Sequence, residues 1–370
     1  DYAIINYTGG TTGKSKGVML SNRNVRAMCA SHMSATDITH RMTYLAAAPI
    51  THTAGLLALP FIAKGARVIL HDGVDPQRLL RTIQDERVEV LFLPPTVVYV
   101  LLAQGNLREF DLSSLRYLLY GAAPMSPDRL CEALEVFGPV LMQAYGQSEV
   151  PGSITVLRRE EHYAADGAVA PHQRLSSAGR PFPFTRVAIE DDQRVVHVKP
   201  GVRGEIVTQG DIVMKGYYKN PQATAEASAG GWHHTGDVGY FDEEGFLHIV
   251  DRKKDMIISG GFNIYPAELE AVVMRHPPVQ EWAVIGVPDE KWGEAVKGLV
   301  ELKPGAQVDP QALIALVREQ LGSVKTPKTM DIVDQLPRSP VGKVLKKDLR
   351  AHHWLAAPAA AQKIKVGYWT

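Results

Sequence analysis

Between Tyr2 and about Tyr145 the apolar positions fall into short β-branched runs separated by stretches with helical spacing. The runs predict strands over 3–7, 42–46, 67–70, 88–93, 116–120 and 140–145. Helix starts are marked between them. Ser21 stands as a cap before the first, and Asp75-Pro76 and Ser126-Pro127 each place a capping side chain before proline at a first helical position. Strand and helix in alternation predict an α/β fold, a mostly parallel sheet covered by helices, with ligands beyond the carboxyl ends of its strands. Three stretches rich in small and polar residues are expected at such ends: the run Tyr7 to Gly17, Gly121-Ala122-Ala123-Pro124, and Tyr145-Gly146-Gln147-Ser148-Glu149.

The pattern changes after residue 150. Glycine and proline recur, helical spacing fades, and runs over 185–190, 194–198 and 205–209 predict a β-rich subdomain reaching residue 251. Residues 252–254 lie in a basic run and read as a linker. From 255 to 350 a small α+β domain is expected, with helices opening at Pro266 and Asp309 and strands near 282–287 and 295–302. The tail, 351–370, carries no recognisable chemistry.

Composition narrows the classes. With 45% hydrophobic and 22% charged residues, 370 residues predict a globular protein of more than one domain. Forty basic side chains balance forty acidic ones, so no global field recruits nucleic acid and anions must be captured locally. Cys29 and Cys131 are too few for a disulfide framework or a cysteine zinc site, and a reducing cytoplasm is the expected setting. No apolar stretch has the length of a membrane span. The chain opens almost directly on a strand, as though in mid-domain.

Local capture of an anion is what Tyr7-Thr8-Gly9-Gly10-Thr11-Thr12-Gly13-Lys14-Ser15-Lys16-Gly17 offers. Its glycines let backbone N–H groups turn toward a phosphate, while hydroxyls and two lysines add donors and charge. A Walker loop needs four residues between its first glycine and Gly-Lys; only three separate Gly9 from Gly13. A small-residue surface turn is the plain alternative.

Taken in order, the motifs resemble those of the adenylate-forming superfamily, which contains acyl-CoA synthetases, peptide-synthetase adenylation domains and beetle luciferases. The likeness runs from residue 2 to about 350. The glycine loop, with Ser15 where proline is common, resembles the family's cradle for the β- and γ-phosphates of ATP. Tyr145-Gly146-Gln147-Ser148-Glu149 is similar to Tyr-Gly-x-Thr-Glu, which implies adenine stacking by Tyr145, an α-phosphate contact from Ser148 and Mg²⁺ binding by Glu149. Gly121, Ala122 and Ala123 match the other adenine wall. Asp237, in Thr235-Gly236-Asp237, and Arg252 match the ribose and phosphate contacts, and Lys254 matches the hinge.

Lys343, in Pro337-Arg338-Ser339-Pro340-Val341-Gly342-Lys343, matches the lysine that bridges carboxylate and α-phosphate. Gly260 and Gly261 resemble the glycines beside the pantetheine arm of CoA. His52 falls in a segment similar to the Pro-x-x-His of the acyl pocket, and Gln147 joins it there; a histidine between apolar segments could instead be a structural residue. The histidines of His233-His234 are adjacent, without the i, i+4 spacing of a helical metal pair, so no zinc is expected.

The resemblance implies an AMP-forming acid–CoA ligase acting on a fatty or aromatic acid with ATP, Mg²⁺ and CoA, with a homodimer possible. It also implies that the family's N-terminal segment is absent here. A carrier-protein thiol as acceptor, a P-loop phosphotransferase and an inactive binding remnant are the other readings.

Overall fold

Five strands of the central sheet run parallel, in the order Arg67–Leu70, Thr43–Ala46, Val90–Leu93, Tyr117–Gly121 and Leu141–Gln147. Val150–Leu157 and Arg180–Pro181 extend it in antiparallel sense. This computed structural model describes residues 1–8, 15–38, 41–338 and 344–355. The central strands are buried on both faces, as helix-covered parallel strands require. Leu45, Leu91 and Leu118 point to one side, onto Leu79, Leu80, Leu101, Leu130 and Leu134 from three helices. Their neighbours Tyr44, Phe92 and Leu119 point to the other, onto Leu57, Ala58 and Phe61 of the helix Thr53–Ile62.

Helix starts follow the sequence signals. Ser21 and Asn24 form a reciprocal capping box for Asn22–Ala35, and Asp75 Oδ1 accepts from Arg78 N at 2.6 Å. Ser126 precedes Pro127 as expected but makes no side-chain capping bond.

The first strand departs from the expectation. Tyr2–Tyr7 does not join the parallel sheet; it pairs antiparallel with Gly17–Ser21, and Gly216–Tyr217 adds a third strand. The glycine run therefore connects a hairpin instead of lying at the carboxyl end of a parallel strand. An isolated β-branched run holds no information about its partner, and the three residues between Gly17 and Ser21 are too few to announce a strand by alternation.

The described residues fall into two compact units: 1–8, 15–38, 41–235 and 239–249 in one, and 236–238, 250–338 and 344–355 in the other. Residues 186–252 contribute a five-stranded sheet in the order Val196–His197, Arg186–Glu190, Gly204–Gln209, His233–Phe241, Leu247–Arg252. In the second unit, Phe262–Ile264, Ile257–Ser259, Gly293–Leu302 and Val279–Asp289 form an antiparallel sheet, with Thr329–Val333 parallel to Gly293–Leu302. Helices Pro266–Val273 and Pro310–Lys325 supply Leu269, Val273, Leu313 and Val317 to its core. Among the described residues no helix is long and apolar enough to cross a membrane.

Two core histidines make the first unit acid-sensitive. His32 Nε2 lies 3.1 Å from Gly152 O, and His162 Nε2 lies 2.9 Å from the Tyr120 hydroxyl. Burial pulls both down from 6.5 to about 4. As pH falls below 6.5 the unfolded chain takes up these protons and the folded chain does not. Stability is therefore complete above 6.5, is lost on acidification toward about 4, and levels off below it. Each histidine contributes on the order of 3 kcal/mol to the loss. Denaturant unfolding at pH 7 and pH 5 is expected to show the drop, and His162→Gln to reduce it.

Candidate active site

The two ends of the glycine run are tied to each other. Thr8 N donates to Lys16 O at 3.0 Å, and Lys16 N donates to Thr8 Oγ1 at 3.3 Å. Gly9, Gly10, Thr11, Thr12, Gly13 and Lys14 lie outside the described residues. Lys16 Nζ sits 4.8 Å from the centre of the Tyr217 ring, a cation–π distance. The Tyr217 hydroxyl donates to Glu149 Oε1 at 2.7 Å. Burial, with the Glu149 charge beside it, pushes the Tyr217 phenol well above its usual value, so it remains a donor. Lys16, Tyr217 and Glu149 thus form one chain of contacts at the mouth of the glycine run.

Glu149 is presented by a tight turn. Gln147 pairs with Val150, leaving Ser148 and Glu149 as the two-residue connection, and Met214 N donates to Glu149 O at 2.8 Å. A Cβ on Gly146 would lie 2.5 Å from Gly152 N, so only glycine lets the two strands approach here. Tyr145 is half-buried against the cluster that contains Val150 and Ile154. Gly121 pairs with Ala144 on the adjacent parallel strand, which brings Gly121-Ala122-Ala123 beside Tyr145-Gly146; Ala122 holds φ +65°.

The Gln147 side chain is engaged at both ends. Its Nε2 donates to Thr235 O at 3.1 Å, and its Oε1 lies 3.2 Å from His233 Nε2. Burial lowers the His233 pKa, which favours the neutral ring donating that bond. His52 stands exposed at the start of the helix Thr53–Ile62, with its Nδ1 2.8 Å from Thr51 Oγ1. Tyr120, which precedes Gly121 on its strand, is buried in the core with its hydroxyl against His162. It follows the strand's inward alternation and is not available to a ligand.

In the second unit Asp237 is buried and Oδ1 meets Arg252 Nε at 2.7 Å. Arg350 donates to Lys254 O at 3.1 Å and to Asp255 Oδ1 at 2.6 Å, and burial lowers the Lys254 pKa. Ser259 and Phe262 pair across Gly260-Gly261, whose φ values of 58° and 80° are those of a two-residue hairpin turn. The turn itself demands these glycines. Lys343 lies outside the described residues.

Tyr217 was not singled out from the sequence, and His233 was weighed there only as half of a metal pair. Gly216-Tyr217-Tyr218 is an ordinary turn composition, and a buried histidine in a strand carries no local mark; only their distant partners, Glu149 and Gln147, give them a role.

The profile described as AMP-binding enzyme matches residues 1–218, and that described as AMP-binding enzyme C-terminal domain matches 268–343. The chain is 40% identical over 363 residues to the medium/long-chain-fatty-acid–CoA ligase FadD8 of Mycobacterium tuberculosis, covering 96% of this chain but only 62% of that protein's length. Against feruloyl-CoA synthase of Amycolatopsis sp the identity is 42% over 352 residues, covering 95% and 70%. The solved structure of the amide bond synthetase McbA from Marinactinospora thermotolerans superposes with a TM-score of 0.85 at 36% identity, covering 95% and 69%. With matched profiles over both units and relatives at 40% identity or more, the chain belongs to the AMP-binding enzyme family, the adenylate-forming enzymes its sequence resembles.

Proposed function

We propose that this chain carries the nucleotide and acyl machinery of an AMP-forming acid–CoA ligase. A carboxylate attacks the α-phosphorus of ATP, pyrophosphate leaves, and a CoA thiol then displaces AMP from the acyl-adenylate. The observation that carries the reading is the Lys16–Tyr217–Glu149 chain, which sets a cation and an oriented carboxylate at the mouth of the glycine run. One relative is a fatty-acid–CoA ligase and another a feruloyl-CoA synthase, and a fatty or aromatic acid is the substrate class proposed here.

In this reading residues 8–14 and Lys16 hold the β- and γ-phosphates, and Ser148 contacts the α-phosphate. Gly121, Ala122, Ala123, Tyr145 and Gly146 wall the adenine; Asp237, steadied by Arg252, accepts from the ribose hydroxyls. Glu149 suits a hard cation, because Tyr217 fixes one carboxylate oxygen and leaves the other to a metal. Mg²⁺ bound there would neutralise phosphate charge. His52 and Gln147 border the acyl group, Gly260-Gly261 face the pantetheine arm, Lys254 is the hinge, and 1–150, 151–251 and 255–350 are the functional domains.

The likeness to an amide bond synthetase supports a second acceptor, an amine in place of the CoA thiol. One experiment separates the readings: a panel of carboxylic acids is incubated with MgATP, and AMP release is measured with CoA, with an amine, or with neither. Acid-dependent pyrophosphate exchange together with CoA-dependent AMP release is the expected result. Exchange with release driven only by the amine would move the assignment to amide synthesis, and no exchange with any acid would remove the adenylation reading.

A further inference from the structure

Glu190 and Glu205 sit directly opposite one another on the antiparallel strands Arg186–Glu190 and Gly204–Gln209. Their side chains are only 10% and 7% exposed. Like charges facing each other across a sheet repel, and burial strengthens the repulsion, so this pair calls for a cation between its heads. His234, 8% exposed, brings Nδ1 to 3.3 Å from Glu205 Oε2 and 3.7 Å from Glu190 Oε2. All three ligand atoms lie within 4.8 Å of one another. The other ring nitrogen, Nε2, is 3.1 Å from Ala229 O. A proton on Nε2 donated to that carbonyl leaves the Nδ1 lone pair aimed at the carboxylates, the tautomer of a metal-bound histidine with an outer hydrogen bond.

His234 Nδ1 and Glu205 Oε2 are within hydrogen-bond reach, and that contact raises the His234 pKa, so a proton on Nδ1 competes with an ion whose ligand spacing the distances also fit. A charge-assisted N–H to carboxylate bond closes to about 2.8 Å. Metal bonds of about 2.1 Å in a tetrahedron set the ligand atoms about 3.4 Å apart. The spacings of 3.3 and 3.7 Å match the second figure.

We propose that Glu190, Glu205 and His234 bind one divalent cation of the zinc class, which pins the start of the strand His233–Phe241 to its neighbour Gly204–Gln209 and to Arg186–Glu190 on that strand's far side. The adjacent histidines do not act as a pair: His233 faces Gln147, and only His234 is a ligand. Its two partners come from 44 and 29 residues earlier in the chain, which is why the spacing of histidines gave no sign of the site. Arg194, whose Nη1 reaches the same Glu190 Oε2 at 2.8 Å, is the competing cation. The proposal is independent of the adenylation reading.

The test uses the whole chain, stripped with chelator and equilibrated with ZnCl₂ alone, with bound metal counted after equilibrium dialysis. One zinc per chain is expected, along with a raised melting temperature. Glu190→Gln, Glu205→Gln and His234→Asn are each expected to weaken binding by at least roughly tenfold. Arg194→Ala is expected to tighten it. Co²⁺ in place of zinc is expected to give a tetrahedral visible band that His234→Asn removes. With thirteen histidines and two cysteines in the chain, stray binding is a real competitor. Zinc bound equally by wild type and all three ligand variants, or no zinc bound by wild type, overturns the proposal. Glutamine variants keep the side-chain shape, and circular dichroism on each separates lost ligation from lost folding.

Discussion

Lys343→Ala is expected to lower acyl-adenylate formation by about 10²–10³-fold while sparing thioester formation from a supplied acyl-adenylate. In the proposed reaction two anions meet as carboxylate oxygen approaches the α-phosphate, and charge grows on a pentavalent phosphorus beside Lys343. A fixed ammonium at that point is worth more in the transition state than in the ground state, which is how an electrostatic group raises a rate. The second half-reaction breaks an adenylate already made and develops no such junction, so it has no need of the lysine. Pyrophosphate exchange reads the first step, and AMP release from a supplied adenylate plus CoA reads the second. Equal loss of both would sink this division of labour. Lys343→Arg keeps the charge but not the point geometry, and is expected to restore the first step only in part.

Glu149→Gln carries the second large effect, an expected loss of about 10²-fold or more in adenylation. An amide oxygen is a poor ligand for a doubly charged hard cation, so the magnesium dependence should shift upward with the rate loss. Tyr217→Phe makes the two parts separable. It removes one hydrogen bond to a charged group, worth about 1.5–3 kcal/mol, while leaving the carboxylate in place. That variant is expected to need more Mg²⁺ for half-maximal exchange yet approach wild-type rate at saturation. A Glu149→Gln enzyme with unchanged rate and unchanged magnesium response would remove Glu149 from the metal.

Much of the fold was legible because its signals are local. Strands at Arg67–Leu70 and Val90–Leu93 follow from apolar β-branched runs, and helices begin where Ser21 and Asp75 offer caps. The candidate site was legible only in pieces. Ser148-Glu149 was visible as a motif, but its place as the two-residue tip between Gln147 and Val150 was not, since that depends on the register of the strands it joins. Gln147, expected at an acyl pocket, proves to be braced by Thr235 and His233 across more than 80 residues of chain.

What the sequence determined by itself was the menu of elements, the turn glycines and the identity of the motifs. These depend on period, φ preference and residue chemistry within a few positions. Tertiary structure alone decided that Tyr2–Tyr7 enters a hairpin sheet instead of the parallel one. It also decided that Tyr217 reaches Glu149 over 68 residues, and that Glu190 and Glu205 oppose each other beneath His234. Partner choice and register are settled by the simultaneous packing of whole faces, and no window of a few residues contains that information.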